Sequence, residues 1–248
     1  TSFLVDKKKR LWIGTQLEGL VQVPLKKFNE TNSYIVFNEG NNKIKQNRIG
    51  QIIYDDNIDK IWIGTYHGFY YFDETSKNLV HNDLFLEGKL PSVIINQMYF
   101  DEDKLWIATP NGLVKTYLKP DGDYSIESIY NKGNYLNNDY VCSITDDNYG
   151  NLWISTSSEI VKYNKSENLF SSYNESDCIE TSSFNYRSVF KNNNGLLYFG
   201  GIDNITFFDP KTLYKPNLES QIILTDLQID NQKVSTRETE SGTFYVNK

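Results

Sequence analysis

Two histidines, His67 and His81, and two cysteines, Cys142 and Cys178, are the residues most open to nucleophilic or metal chemistry. Neither pair is arranged for it. The cysteines lie 36 residues apart (178 − 142) without metal-ligand spacing and read as two unpaired, small hydrophobic or loop residues. No Ser/His/Asp or Cys/His order suggests a proton relay, so no catalytic residue, metal or cofactor is expected. His67 reads as an exposed turn residue that can also reach a ligand, and His81 as surface. The Asp-rich stretches Asp55-Asp56-Asn57, Asp101-Glu102-Asp103 and Asp146-Asp147-Asn148 resemble cation loops only superficially. None has the alternating Asp/Asn spacing closed by Gly that a calcium loop needs, and hairpin turns select the same residues. What remains is binding chemistry: aromatic rings that stack on sugar faces and arginines that fork onto a carboxylate. Arg48, Tyr66, His67, Tyr186 and Arg187 are the expected ligand-binding residues.

The elements that must carry these side chains follow from a repeat. Leu11-Trp12-Ile13-Gly14-Thr15 recurs as Ile61-Trp62-Ile63-Gly64-Thr65, Leu105-Trp106-Ile107-Ala108-Thr109, Leu152-Trp153-Ile154-Ser155-Thr156 and, in altered form, Leu197-Tyr198-Phe199-Gly200-Gly201. The aromatic positions 12, 62, 106, 153 and 198 are 50, 44, 47 and 45 residues apart, and all four Trp residues occupy this slot. Each copy follows an apolar run ending in an Asp/Asn turn, and a short turn leads from it into another apolar strand such as Gly68-Phe69-Tyr70-Tyr71-Phe72. A weaker fourth strand follows in four copies, as in Tyr34-Ile35-Val36-Phe37. Short aromatic and β-branched runs between Asp/Asn/Gly turns are hairpin signals. A four-stranded unit of about 45 residues is the period of a β-propeller blade. A parallel β-helix is the rival architecture, but its repeat is shorter. In a blade sandwiched between two others the Trp is expected to pack between blades, and the small residue two places on leaves room for a neighbour's bulky group. The candidate residues then fall in loops at one mouth of the central channel, where propellers bind ligands.

Composition agrees with an all-β binding protein. Eighteen Tyr and fourteen Phe against one Met favour pleated surfaces. The net charge of −7 argues against a nucleic-acid partner. The basic cluster Lys7-Lys8-Lys9-Arg10 reads as a solvated hairpin turn. No apolar run approaches the ~20 residues of a membrane span. Residues 1–214 are expected to be the propeller, five repeats whose ring upstream sequence completes. Residues 215–248 are expected to be a Pro-containing linker and the first strands of a β-sandwich, Ile222–Ile229 and Phe244–Val246.

The order of apolar strand, Asp-rich turn, L-W-I-G-T and Gly-led strand resembles the two-component-regulator propeller repeat over residues 1–208. The ending Phe199-Gly200-Gly201-Ile202-Asp203-Asn204-Ile205-Thr206-Phe207-Phe208-Asp209-Pro210 resembles the last repeat before a triple-tyrosine, immunoglobulin-like domain. The resemblance implies the periplasmic portion of an inner-membrane hybrid two-component protein, attached to the membrane through a downstream helix. It further implies an oligosaccharide ligand, a homodimer formed through the ectodomain, and a histidine kinase that controls transcription of glycan-use genes. The competing readings are an extracellular propeller lyase or hydrolase, which needs a clustered acid/base set at a channel mouth, and a scaffold that binds only proteins.

Overall fold

Each repeat folds into its own antiparallel sheet, with strands side by side in chain order. Blade 1 comprises β1 (Ser2–Val5), β2 (Arg10–Gly14), β3 (Leu20–Pro24) and β4 (Ile35–Phe37). Blade 2 comprises β5 (Ile49–Asp55), β6 (Lys60–Thr65), β7 (Gly68–Asp73) and β8 (Asn78–His81). Blade 3 comprises β9 (Gln97–Asp101), β10 (Lys104–Thr109), β11 (Gly112–Leu118) and β12 (Tyr124–Tyr130). Blade 4 comprises β13 (Val141–Asp146), β14 (Asn151–Thr156), β15 (Ile160–Asn164) and β16 (Leu169–Tyr173). Blade 5 has three strands, β17 (Phe184–Lys191), β18 (Leu197–Gly201) and β19 (Ile205–Phe208). Separate antiparallel meanders exclude the parallel β-helix. The first strands of successive blades lie side by side, so they line the axis of a β-propeller.

The computed structural model describes residues 2–30, 33–41, 43–82, 89–177, 179 and 183–213, and four short strands beyond them. The chain forms two compact units, Thr1–Tyr214 and Lys215–Lys248. In the second, β20 (Gln228–Ile229) pairs with β21 (Gln232–Lys233), and β22 (Thr236–Glu238) with β23 (Phe244–Val246). Cys178, the linker at 215–220 and the strand expected over 222–227 lie outside the described residues.

The hydrophobic core lies in the seams between blades. Trp12, Leu20 and Phe37 of blade 1 pack with Ile49, Ile52 and Phe72 of blade 2. Trp62 and Phe69 pack with Ile95, Met98 and Tyr124 of blade 3. Trp106 and Tyr130 pack with Ile144, Ile154 and Tyr163 of blade 4, and Trp153 and Tyr173 with Phe184, Phe199 and Phe208 of blade 5. All four Trp side chains are essentially inaccessible. The small residue of the repeat makes this approach possible. A Cβ on Gly14 would lie 2.5 Å from Ile49 Cγ2, and one on Gly64 3.1 Å from Ile95 Cγ2. Tyr198, in the altered fifth copy, stacks on Phe207 on a face where Phe190, Ile205 and Phe207 are all exposed.

Polar side chains stitch the axial strands together. Gln51 Nε2 donates to Met98 O (3.0 Å) while its Oε1 accepts from Met98 N (2.5 Å). Gln97 repeats this with Ile144, one blade on. Ser2 Oγ accepts from Ile52 N, and Ser143 Oγ donates to Asn185 O and accepts from Ser188 N. All four pair in register with the small residue of the repeat: Ser2 with Gly14, Gln51 with Gly64, Gln97 with Ala108 and Ser143 with Ser155. These bonds satisfy backbone groups that no ladder reaches.

The Asp residues of the first hairpin are structural, and more than turn formers. Asp6 and Asp147 are buried, and each accepts a hydrogen bond from the indole of its own blade, Trp12 Nε1 at 2.9 Å and Trp153 Nε1 at 2.8 Å. Asp55, fully buried, accepts instead from Tyr124 Oη of blade 3 at 2.6 Å. Two further expectations need correction. Arg10 is not part of a solvated turn: it opens β2, packs over Trp12 and Phe72, and pairs with Asp6 and with Glu74 of blade 2. This cluster lines a cavity of about 90 Å³ between blades 1 and 2, too small for a sugar. His81 is not a surface residue either. It is half-buried against Tyr70, 4.0 Å between ring centroids, and burial pushes its imidazole down to about 4.

Candidate functional site

The innermost ends of the first strands are irregular, and that irregularity builds the site. In β5 the pairing slips between Ile49 and Gln51, leaving Gly50 as an extra residue; in β13 it slips between Val141 and Ser143. In β17 the slip runs from Phe184 to Val189, against only Gly201 to Phe199 on β18. Bulges leave the ladder locally unpaired and re-aim side chains. Asn185, Tyr186 and Arg187, expected in a loop between blades, therefore lie within a strand, in its bulge. Arg187 has φ of 57°, and among the described residues it is the one non-glycine residue with positive φ that lies inside a strand. Holding a non-glycine residue there is unfavourable by about 1–3 kcal/mol and persists only where the surroundings fix it.

Four of the five expected residues come together. Arg48, immediately before β5, lies over the ring of Tyr66 in the β6–β7 turn, 3.8 Å from guanidinium carbon to centroid. Arg187 lies 5.2 Å over the ring of Tyr186, and its Nη1 stands 3.7 Å from the Cβ position of Gly50. The Tyr66 and Tyr186 phenols share a hydrogen bond, and Arg48 bonds to the Tyr186 oxygen. Blades 2 and 5 are separated along the ring by blades 3 and 4, so these residues meet across the axis. Burial and the bond to Tyr186 push the Tyr66 phenol up to about 12. The same bond, with Arg48 and Arg187 nearby, holds the Tyr186 phenol below its ordinary value despite partial burial. Burial lowers Arg187, aided by the like charge of Arg48.

His67 follows Tyr66 in the β6–β7 turn. Its backbone N–H donates to Thr65 Oγ1, and its ring is near enough to His81 to act on that residue's charge. Tyr140, just before β13, belongs at the mouth instead: its phenol is raised by burial and by Cys142 and Tyr186, and Asn96 hydrogen-bonds to it. Its position before a first strand matches that of Arg48 before β5, which is the sequence signal that points to it. Cys142, in the β13 bulge, is buried and donates weakly to Phe184 O at 3.3 Å; burial pushes its thiol up to about 12. Among the described residues no cluster of His, Cys, Asp and Glu has the arrangement of a metal site.

Residues 135–158, which span the β13–β14 hairpin of blade 4, match the two component regulator propeller family model. One of its blades thus carries a segment similar to a two-component-regulator propeller repeat. A curated relative, Histidine kinase P4 of Formosa agariphila, is 27% identical over 230 residues, which cover 90% of this chain and 16% of that protein. Among solved structures, the extracellular domain of a putative hybrid two component system from B. thetaiotaomicron is 32% identical, with a TM-score of 0.69 over 84% of this chain and 27% of that one. A second such extracellular domain from B. thetaiotaomicron, 22% identical, has the same fold, with a TM-score of 0.69 over 85% of this chain and 29% of that one. The chain thus spans about a sixth of the curated relative and under a third of these two structures. The strand carrying the repeat is the second strand of each blade, and the Arg48–Arg187 cluster lies at one mouth of the channel. Among the described residues no helix is long and apolar enough to cross a membrane.

Proposed function

We propose that this propeller is part of the periplasmic sensor region of an inner-membrane hybrid two-component protein, and that it binds an oligosaccharide at the channel mouth formed by Arg48, Tyr66, Tyr140, Tyr186 and Arg187. The similarity of 32% identity to the extracellular domain of a putative hybrid two component system carries this reading. The Formosa agariphila histidine kinase supports it. The site chemistry favours a sugar, because phenol rings such as the exposed Tyr140 and Tyr186 stack on pyranose faces while guanidinium forks select oxygen-rich substituents. Residues from 215 onward begin an immunoglobulin-like domain that passes the signal through a downstream membrane helix to a kinase controlling glycan-use genes. Signalling of this kind requires the ligand to bind two arrangements of an ectodomain dimer with different affinity.

Calorimetric titration of the intact ectodomain against a panel of defined oligosaccharides tests this. Binding is expected for a narrow subset, weakened at least tenfold by Tyr186→Ala. Depolymerisation of a member of the panel by the ectodomain, or no binding by any member, defeats the proposal.

A further inference from the structure

Among the described residues, no carboxylate pairs with the two arginines at the channel mouth. The chain carries 32 Asp and Glu against 25 Lys and Arg, and several of its described cations pair with a carboxylate: Arg10 with Asp6 and Glu74, Lys165 with Asp101, Lys191 with Asp146, Lys104 and Lys115 with Glu127. Of the three arginines whose side chains are described, only Arg48 and Arg187 make no ion pair with a described residue. Instead they converge from blades 2 and 5, each placed over a tyrosine ring. Stacking on a ring orients a guanidinium while leaving its in-plane N–H fork open. Two like charges, both partly buried, repel, and the repulsion is relieved when an anion enters between them. The backbone at Arg187 is held at φ of 57° within a bulge, which fixes where its side chain starts.

We propose that Arg48 and Arg187 form an anion-recognition pair, and that the saccharide read at this mouth carries a carboxylate or sulfate group. That the anion is borne on a sugar rests on the sensor reading above; the anion site itself rests on the geometry alone. Tyr66 and Tyr186 supply the stacking faces, and the two forks take the charged substituent. A neutral sugar of the same shape leaves both guanidiniums desolvated and unpaired, which is how such a site discriminates.

The experiment is calorimetric titration of the intact ectodomain with sodium sulfate, glucuronate, glucose 6-sulfate and glucose at matched ionic strength. Saturable binding of at least one charged sugar, at least tenfold tighter than glucose, is expected, and the tighter of the two assigns the group as carboxylate or sulfate. Arg48→Gln and Arg187→Gln are each expected to reduce that binding at least tenfold and to erase its advantage over glucose. Arg187→Gly is the folding control, since glycine suits the backbone there; it is expected to lose the charged ligand with an unchanged melting temperature. Absence of saturable binding by every anion overturns the inference, as does charged-sugar binding that both Gln variants retain. If the neutral oligosaccharides of the panel bind without any preference for charge, the sensor reading survives and the anion site fails. If sulfate binds and both Gln variants abolish that binding, but no saccharide does better, the anion site survives and the saccharide reading fails.

Discussion

Asp147 and Trp153 tie a turn to a seam through one side-chain bond. The carboxylate accepts from the indole, from Asn151 Nδ2 and from the backbone N–H groups of Tyr149 and Asn151. Burial alone would raise its pKa, but these four donors outweigh it and hold the carboxyl below its ordinary value. The same register position is Asp in blades 1 to 4: Asp6, Asp55, Asp101 and Asp147 each pair with the residue two before the Trp. Turn length then decides what the carboxylate does. With six residues from Asp to Trp (6 to 12, 147 to 153) it reaches its own indole. With seven (55 to 62) it crosses to Tyr124, and with five (101 to 106) to Lys165. Trp62 and Trp106 accordingly have indole nitrogens with no hydrogen-bond partner among the described residues. Asp147→Ala strands the Trp153 N–H in the same way and removes three further bonds. It is expected to lower unfolding free energy by about 1–3 kcal/mol in urea titration. An unchanged midpoint would show that the bond contributes nothing net.

At the scale of the element, blades are joined by polar clamps as well as by packing. Arg10 of β2 reaches Glu74, just past β7, which also receives Lys8 and Lys77. Burial opposes the Glu74 charge, but hydrogen bonds from Arg10, Lys77 and Lys8 outweigh it and hold the carboxyl at about 2. The folded value is depressed, so the unfolded chain takes up the proton first as pH falls. The stabilisation is therefore present above pH ~4.5 and lost between there and about 2. The difference in melting temperature between wild type and Glu74→Gln is expected to be constant from pH 7 to 5 and to shrink towards zero by pH 2. A difference that grows on acidification would contradict the clamp. The blades themselves were readable from the sequence because Trp, the small residue and the Asp recur at nearly fixed pitch, and that pitch is a direct imprint of seam packing. The clamp was not, since Arg10 sits among lysines and its partner is 64 residues away. The bulge in β17 was hidden for another reason. Tyr186 and Arg187 interrupt the apolar pattern as a loop does, and only pairing on both sides reveals a strand.

For the whole molecule, the location of the core in the seams makes stability a sum over neighbouring blades. Gly14 lies in the seam of blades 1 and 2, and Asp147 supports the Trp153 that fills the seam of blades 4 and 5. Gly14→Ala forces a methyl against Ile49 and is expected to destabilise by about 1–3 kcal/mol. Combined with Asp147→Ala, the two losses are expected to add within about 0.5 kcal/mol, because the sites share no partner. Equilibrium unfolding of both single variants and the double variant measures this, and a large coupling term would mean that distant seams communicate. The stitching residues Ser2, Gln51, Gln97 and Ser143 carry a further consequence. Each blade brings along one half of every contact it needs: an indole for one side, a small residue and a polar bridge for the other. A tandem duplication of one such segment therefore arrives already fitted to both its neighbours. Ring size can drift over evolutionary time by whole segments while the loops at the mouth diverge independently, and lineages can trade recognition without re-inventing the interior.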